Sequence, residues 1–198
     1  VSTTITNDSG VALLTTFRDI ETKFVLPSKL ILGARADVAD FGASVDVEHL
    51  WNSQNTAFPL TGTDANGGTI AVPNVFRWSN AVTVRGGVEY RLVPSTDDGR
   101  KRLALRAGYV YDGKTTNPRY PSAFGTPPGA THVFTVGAGW QFRRFQVNVA
   151  YARRTGSGRV DPAQVAPDVE CRFCSEGGMR PYHIGINGFY VDASFALD

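Results

Sequence analysis

Phe134-Thr135-Val136-Gly137-Ala138-Gly139-Trp140-Gln141-Phe142-Arg143-Arg144-Phe145-Gln146-Val147-Asn148-Val149-Ala150-Tyr151 is the stretch whose reading decides the fold. In its first half Phe134, Val136, Ala138, Trp140 and Phe142 alternate with Thr135, Gly137, Gly139 and Gln141. In its second half Phe145, Val147, Val149 and Tyr151 alternate with Gln146, Asn148 and Ala150. Successive side chains of a strand point to opposite faces, so this alternation puts the apolar set on one face and the small or polar set on the other. The link between the halves, 142–145, leaves room only for a tight turn. The stretch therefore reads as an antiparallel hairpin.

The same period of two recurs outward in both directions. The runs are 28–38, 41–51, 76–92, 103–112, 132–142, 145–153 and 184–197, with a less regular run at 11–26 whose clearest face is Ile20, Thr22, Phe24 and Leu26. That predicts about eight strands and no sustained helix. The links at 38–41, 93–102 and 142–145 are short, whereas 52–75, 113–131 and 154–183 are long and rich in Gly and Pro. Short and long links alternate, so an up-and-down sheet would carry its tight turns at one end and its long loops at the other. The tight link at Pro27-Ser28 is the exception.

One face of these runs is Leu, Val, Ala and Phe, while the other carries Arg35, Arg85, Arg91, Arg106, Glu48 and Glu89. Charges at that density suit a wet bore better than a packed core. Aromatic residues gather near run ends: Trp51, Trp78, Tyr90, Tyr111, Trp140, Phe142, Phe145 and Tyr151. Loop asymmetry, an apolar outer band and aromatic girdles together are the marks of a transmembrane β-barrel. The expected fold class is thus all-β: an antiparallel, up-and-down transmembrane barrel.

Composition agrees. Of 198 residues 42% are hydrophobic, yet mean hydropathy is −0.16 and no apolar run reaches the roughly 20 residues of a membrane helix. Twenty basic and 18 acidic residues give a net charge of +2, which gives no reason to expect nucleic acid or a strongly charged partner. The chain opens at Val1 with no initiator Met, basic region or apolar leader, and the reading expects a mature product or a fragment. Cys171-Arg172-Phe173-Cys174 lacks two further ligands at zinc spacing, and no helix start precedes it. In a long outer loop a small disulfide is the better reading. His49, His132 and His183 are scattered, and no catalytic arrangement, cofactor site or metal site follows from their spacing.

Several local patterns resemble the FadL/TodX family of outer-membrane transporters for hydrophobic compounds. They are Leu26-Pro27-Ser28-Lys29-Leu30-Ile31-Leu32-Gly33-Ala34-Arg35, followed by Val45-Asp46-Val47-Glu48 and Trp51. Then come Gly87-Val88-Glu89-Tyr90-Arg91-Leu92, Leu105-Arg106-Ala107-Gly108-Tyr109-Val110-Tyr111-Asp112, Val136-Gly137-Ala138-Gly139-Trp140-Gln141-Phe142, and Val147-Asn148-Val149-Ala150-Tyr151. The match runs over about 26–152. The resemblance implies a 14-stranded barrel with an N-terminal hatch, of which residues 1–198 would be the C-terminal portion, in the bacterial outer membrane. It implies passive passage of long-chain fatty acids or aromatic hydrocarbons, with no enzymatic step and no cofactor, by a monomer in contact with membrane lipid and lipopolysaccharide. Many such barrels end on an aromatic residue; this chain stops at Ala196-Leu197-Asp198.

Inward-facing Arg35, Arg85, Arg91 and Arg106 are the residues expected to meet a ligand carboxylate. The competing reading is that they pair with Asp46, Glu48, Glu89 and Asp112 across strands. Tyr120 and Phe124 in 113–131, with Phe58, Leu60 and Ile70 in 52–75, would form an outer apolar docking groove or simply pack their loops. Other functions remain open: a non-specific porin, a small structural barrel complete in about eight strands, and a soluble ligand-binding β-barrel.

Overall fold

The computed structural model describes residues 2–6, 12–16, 18–64, 67–72, 75–93, 101–121, 129–167, 174–175, 178–179 and 181–196, with the backbone alone for 2–6, 12–16, 18, 72, 93, 101–102, 174–175 and 178–179. The described strands are β1 (Ser2–Thr6), β2 (Ala12–Thr16), β3 (Arg18–Thr22), β4 (Lys29–Val38), β5 (Phe41–Leu50), β6 (Leu60–Thr63), β7 (Thr69–Val72), β8 (Ala81–Val93), β9 (Lys101–Asp112), β10 (Thr131–Phe142), β11 (Phe145–Arg159), β12 (Cys174–Ser175), β13 (Gly178–Met179) and β14 (Pro181–Phe195). Two single-turn 3-10 helices, Asn52–Gln54 and Pro162–Gln164, complete the described elements.

The expected all-β, up-and-down antiparallel architecture is the one observed. One seven-stranded sheet runs in the order β14-β11-β10-β9-β8-β5-β4, every neighbouring pair antiparallel. Its edge strands β4 and β14 do not pair with each other, so the sheet is open. The turns at 39–40 and 143–144 are two-residue hairpins, since Val38 opposes Phe41 and Phe142 opposes Phe145. Their first residues, Ala39 and Arg143, take φ of 50° and 51°, the sign that matches the right-handed twist of paired strands.

Three expectations need correction. The irregular run 11–26 is not an eighth strand of this sheet. Its backbone forms β2, which pairs with β1, and β3, which joins β6 and β7 in a separate three-stranded sheet. That also removes the Pro27-Ser28 exception. The chain enters β4 from this small sheet at the long-loop end, where Ser28 accepts a bond from the Trp51 amide and Val25 N–H donates to Asn55 Oδ1. Finally, the run 76–92 becomes strand only at Ala81. Phe76 N and Arg77 N both donate to Thr56 O, and Arg77 has φ 39°, which breaks the extended chain. Phe76 is fully buried and stacks on Trp78 at 4.4 Å; Trp78 meets Phe24, and Phe24 meets Phe58. These rings form the apolar centre of a cap over the long-loop end.

The register places the two faces of the main sheet. Leu32, Val47 and Val84 stand level on one face, as do Tyr90, Leu105, Ala138, Val149 and Val191. The opposite face carries Arg35, Asp46, Arg85, Glu89, Arg106, Asn148 and Asp192. Val45, Val47, Leu105 and Val149 are all exposed, and Leu32, Val191 and Phe189 reach 68%, 76% and 82% exposure. Among the described residues no second layer covers them. The buried residues of the sheet, among them Glu48 at 6%, Thr83 at 4%, Ala104 and Thr131, all lie on the polar face. An open sheet buries residues on its concave side, so this one curls toward its charged face.

Candidate functional site: the polar face of the sheet

Arg35, Arg85, Arg91 and Arg106 all project from the polar face, and the structure brings three of them together. Glu89 on β8 is the hub: its carboxylate accepts from Arg106 at 2.7 Å, Arg91 at 3.3 Å and Arg35 at 3.4 Å. Asp37 accepts from Arg35 at 2.8 Å and from Arg91. Arg106 also approaches Asn148 Oδ1 at 3.4 Å, and Asn148 Nδ2 donates to Asp192 at 2.8 Å. The cluster thus draws on five of the seven strands and runs from edge to edge of the sheet near its tight-turn end. Three guanidinium groups share two directly paired carboxylates.

Glycines make this reach possible. Arg35 and Asp37 on β4 contact β8 across β5, where Gly42 sits between them; a Cβ there would stand 2.7 Å from both side chains. Arg106 on β9 reaches Asn148 on β11 across β10, where a Cβ on Gly139 would lie 2.6 Å from both. Gly86-Gly87, by contrast, leaves open or ordinary contact distances, so its neighbours do not require glycine for room.

Arg85 is held apart from the cluster. It donates to Asp46 at 2.8 Å and Glu48 at 2.7 Å, both on β5. Asp112 accepts from Arg154 at 3.0 Å and from the Thr83 hydroxyl at 2.9 Å. Cross-strand pairing therefore occurs for each expected carboxylate, and it also uses Asp37 and Arg154, which were not among the expected partners.

Between these charges lies a surface that the sequence reading missed altogether. Val110, Val133 and Ile186 stand on the polar face, with Arg154 between Val133 and Ile186 in the register, and Ile184 stands next to Gly156. A row of small residues, Ser44, Gly87, Gly108, Thr135, Ala152 and Gly188, crosses six strands beside it. The signal was present: aliphatic residues occupy the polar phase of the alternation at 110, 133, 184 and 186. The concave face is therefore amphipathic, with an aliphatic and bare-backbone surface bordered by arginine.

At the long-loop end Phe58 packs on Phe24, and Arg77 lies over the Tyr120 ring at 4.8 Å. A crevice of about 460 Å³ opens there between Ser53, Thr56, Ala57, Val75, Arg77 and Trp78. Leu60 and Ile70 belong to the β6–β7 hairpin, not to an irregular loop. Phe124 and Cys171 lie outside the described residues, as does the side chain of Cys174, so the expected disulfide falls there too. Among the described residues no group of three or more His, Cys, Asp or Glu is placed to hold a metal ion. No described helix is long and apolar enough to cross a membrane, which says nothing of strands.

The crystal structure of a Pseudomonas aeruginosa FadL homologue superposes on this chain with a TM-score of 0.62 over 89% of it, at 18% identity. The fold is that of a FadL-type barrel wall. This chain spans 37% of the length of that homologue. No family model matches the sequence, and no curated protein matches it.

Proposed function

We propose that residues 1–198 form the C-terminal part of an outer-membrane barrel that lets hydrophobic small molecules cross passively, long-chain fatty acids and aromatic hydrocarbons being the two candidate classes. The amphipathic concave face carries this reading. An acyl chain needs apolar wall and tolerates bare backbone, which Val110, Val133, Ile184, Ile186 and the small-residue row supply. A carboxylate at its end needs a guanidinium partner, and the cluster of Arg35, Arg91 and Arg106 holds more cations than directly paired anions. Arg85, saturated by Asp46 and Glu48, is the least available of the four.

The exposed apolar face supports the membrane setting. Leu32, Val45, Leu105, Val149, Phe189 and Val191 all stand exposed on it, and a contiguous apolar face of this kind marks a membrane or partner contact. Its aromatic levels also fit a bilayer. Along β10, eight residues separate Phe134 from Phe142. At roughly 3.3 Å per residue and roughly 40° of tilt this is about 20 Å, close to the roughly 25 Å apolar band of such barrels. Protein groups bind and orient the cargo, and no bond is made or broken.

The test is uptake of labelled oleate and labelled toluene by cells carrying the full-length gene. Saturable oleate uptake that falls severalfold in Arg106→Gln supports an acid-selective route. Equal passage of small sugars into liposomes, without saturation, would instead mark a non-specific porin.

A further inference from the structure

The two faces of the main sheet differ in the sign of their charges as well as in polarity. On the outward face, the His, Lys, Arg, Asp and Glu side chains among those described are His49, His132, Arg153, Arg159 and His183. None is a carboxylate. The carboxylates of these strands, Asp37, Asp46, Glu48, Glu89, Asp112 and Asp192, all face inward. All five basic groups also stand at the long-loop end. Arg153 is level with Phe134 and Asn187, His132 with Thr155, His183 with Ser157, and Arg159 with Pro181. Positive charge thus begins at the aromatic level of Tyr109, Phe134, Tyr151 and Phe189 and continues for about 20 Å along β11.

These groups are positioned but not neutralised. Neither Arg153 nor Arg159 meets a carboxylate among the described residues. Arg153 donates to Asn187 Oδ1 at 3.4 Å, and Asn187 is held by the Tyr151 hydroxyl at 2.7 Å. His132 is fixed through Nδ1, 2.7 Å from the Tyr109 hydroxyl, which leaves Nε2 for a ligand. A cleft of about 460 Å³ opens at this rim, where His132, His183, Thr155 and Ser157 bring two imidazoles and two hydroxyls together.

We infer that the rim of β10, β11 and β14 clamps the phosphorylated headgroup of an outer-leaflet lipid of the lipid A type. The argument is charge complementarity along the upper ends of these strands. A purely basic, partner-poor band directly above an apolar face matches an anionic headgroup above acyl chains. Guanidinium groups hold phosphate with paired hydrogen bonds, and the imidazoles and hydroxyls of the cleft suit its sugar oxygens. The acyl chains would then lie on Val136, Val149 and Val191. This inference rests on the membrane reading above.

The experiment uses the full-length protein in phosphatidylcholine bilayers doped with lipid A, either bis-phosphorylated or enzymatically dephosphorylated. Lipid retained after mild detergent extraction is counted by native mass spectrometry. The expected result is retention of phosphorylated lipid A about tenfold above the dephosphorylated form. R153Q/R159Q should lose that preference and R153K/R159K should keep most of it. Millimolar inorganic phosphate should compete weakly. Equal retention of both lipid forms by the unaltered protein overturns the inference, whatever the variants do, and so does full displacement by free phosphate. A protein that stays soluble without bilayer or detergent overturns the membrane reading as well.

Discussion

The seven-stranded sheet and the cap over its long-loop end treat apolar side chains in opposite ways. In the cap, Phe76 is fully buried and stacks on Trp78, with Phe24 and Phe58 completing the group. In the sheet, Leu32, Val45, Leu105, Val149, Phe189 and Val191 all stand exposed on one face. A protein folding wholly in water would be destabilised by leaving such a face open. On the membrane reading proposed above, the difference teaches that the chain is written for two solvents: the cap builds its own interior, and the sheet expects one from outside. Cohesion of the sheet rests on its ladders and on the charged concave face, where buried Glu48 and Thr83 each find a partner on a neighbouring strand, although the buried Thr131 hydroxyl finds none among the described residues.

The largest effect on the sheet itself should come from putting charge on the outward face. Val149 lies between the upper aromatic level at Tyr151 and the lower one at Phe145. Val149→Arg should cost about 2–4 kcal/mol of folding stability in lipid vesicles. Equilibrium unfolding in vesicles, followed by heat-dependent gel mobility, reads it; no loss would mean that the face meets water. Phe76→Ala should cost the cap about 3–5 kcal/mol, visible as faster hydrogen exchange at Trp78 and Asn55, while amides of β9 and β10 keep their protection. If β9 and β10 lost protection equally, cap and sheet would be one cooperative unit.

Glu89→Gln comes next. It removes the carboxylate that three arginines share, and should cost about 1 kcal/mol of stability. It should also strengthen binding of a fatty acid carboxylate by freeing Arg106, measured by titration of oleate against the folded protein. Weaker oleate binding would mean that Glu89 positions the arginines more than it competes for them. The smallest effect belongs to Ala39→Gly at the turn between β4 and β5. Relief of the φ of 50° should stabilise by up to about 1 kcal/mol, set against the greater freedom of glycine in the unfolded chain.

How much of this could be read from the sequence follows the same division. Each pairing strand of the sheet announced itself, because a period of two is local and Leu103 through Tyr111 shows it without help from distant residues. The two faces and the positions of Arg35, Arg85, Arg91 and Arg106 followed from that period. The cap did not, because Phe76 and Trp78 also alternate, and only the Thr56 carbonyl and the inverted φ of Arg77 turn them away from the sheet. Ile20 to Leu26 misled in the same manner. In the site, the cross-strand partners Arg154 and Asp37 depend on register and on glycine gaps at 42 and 139, which no single strand encodes. Val110, Val133, Ile184 and Ile186 were overlooked because an inward aliphatic looks like an error in a polar phase until its neighbours across the sheet are known.

The most direct test is solvent accessibility of nitroxide labels placed singly at Val45, Val84, Leu105 and Val149, and at Arg85 and Arg106, in the full-length protein reconstituted in bilayers. The four valine and leucine sites should relax with oxygen and be shielded from a water-soluble nickel complex, and the two arginine sites should show the reverse. Nickel-accessible labels at Val45 and Leu105, with oxygen-accessible labels at Arg85 and Arg106, would contradict the assignment of the two faces and everything built on it.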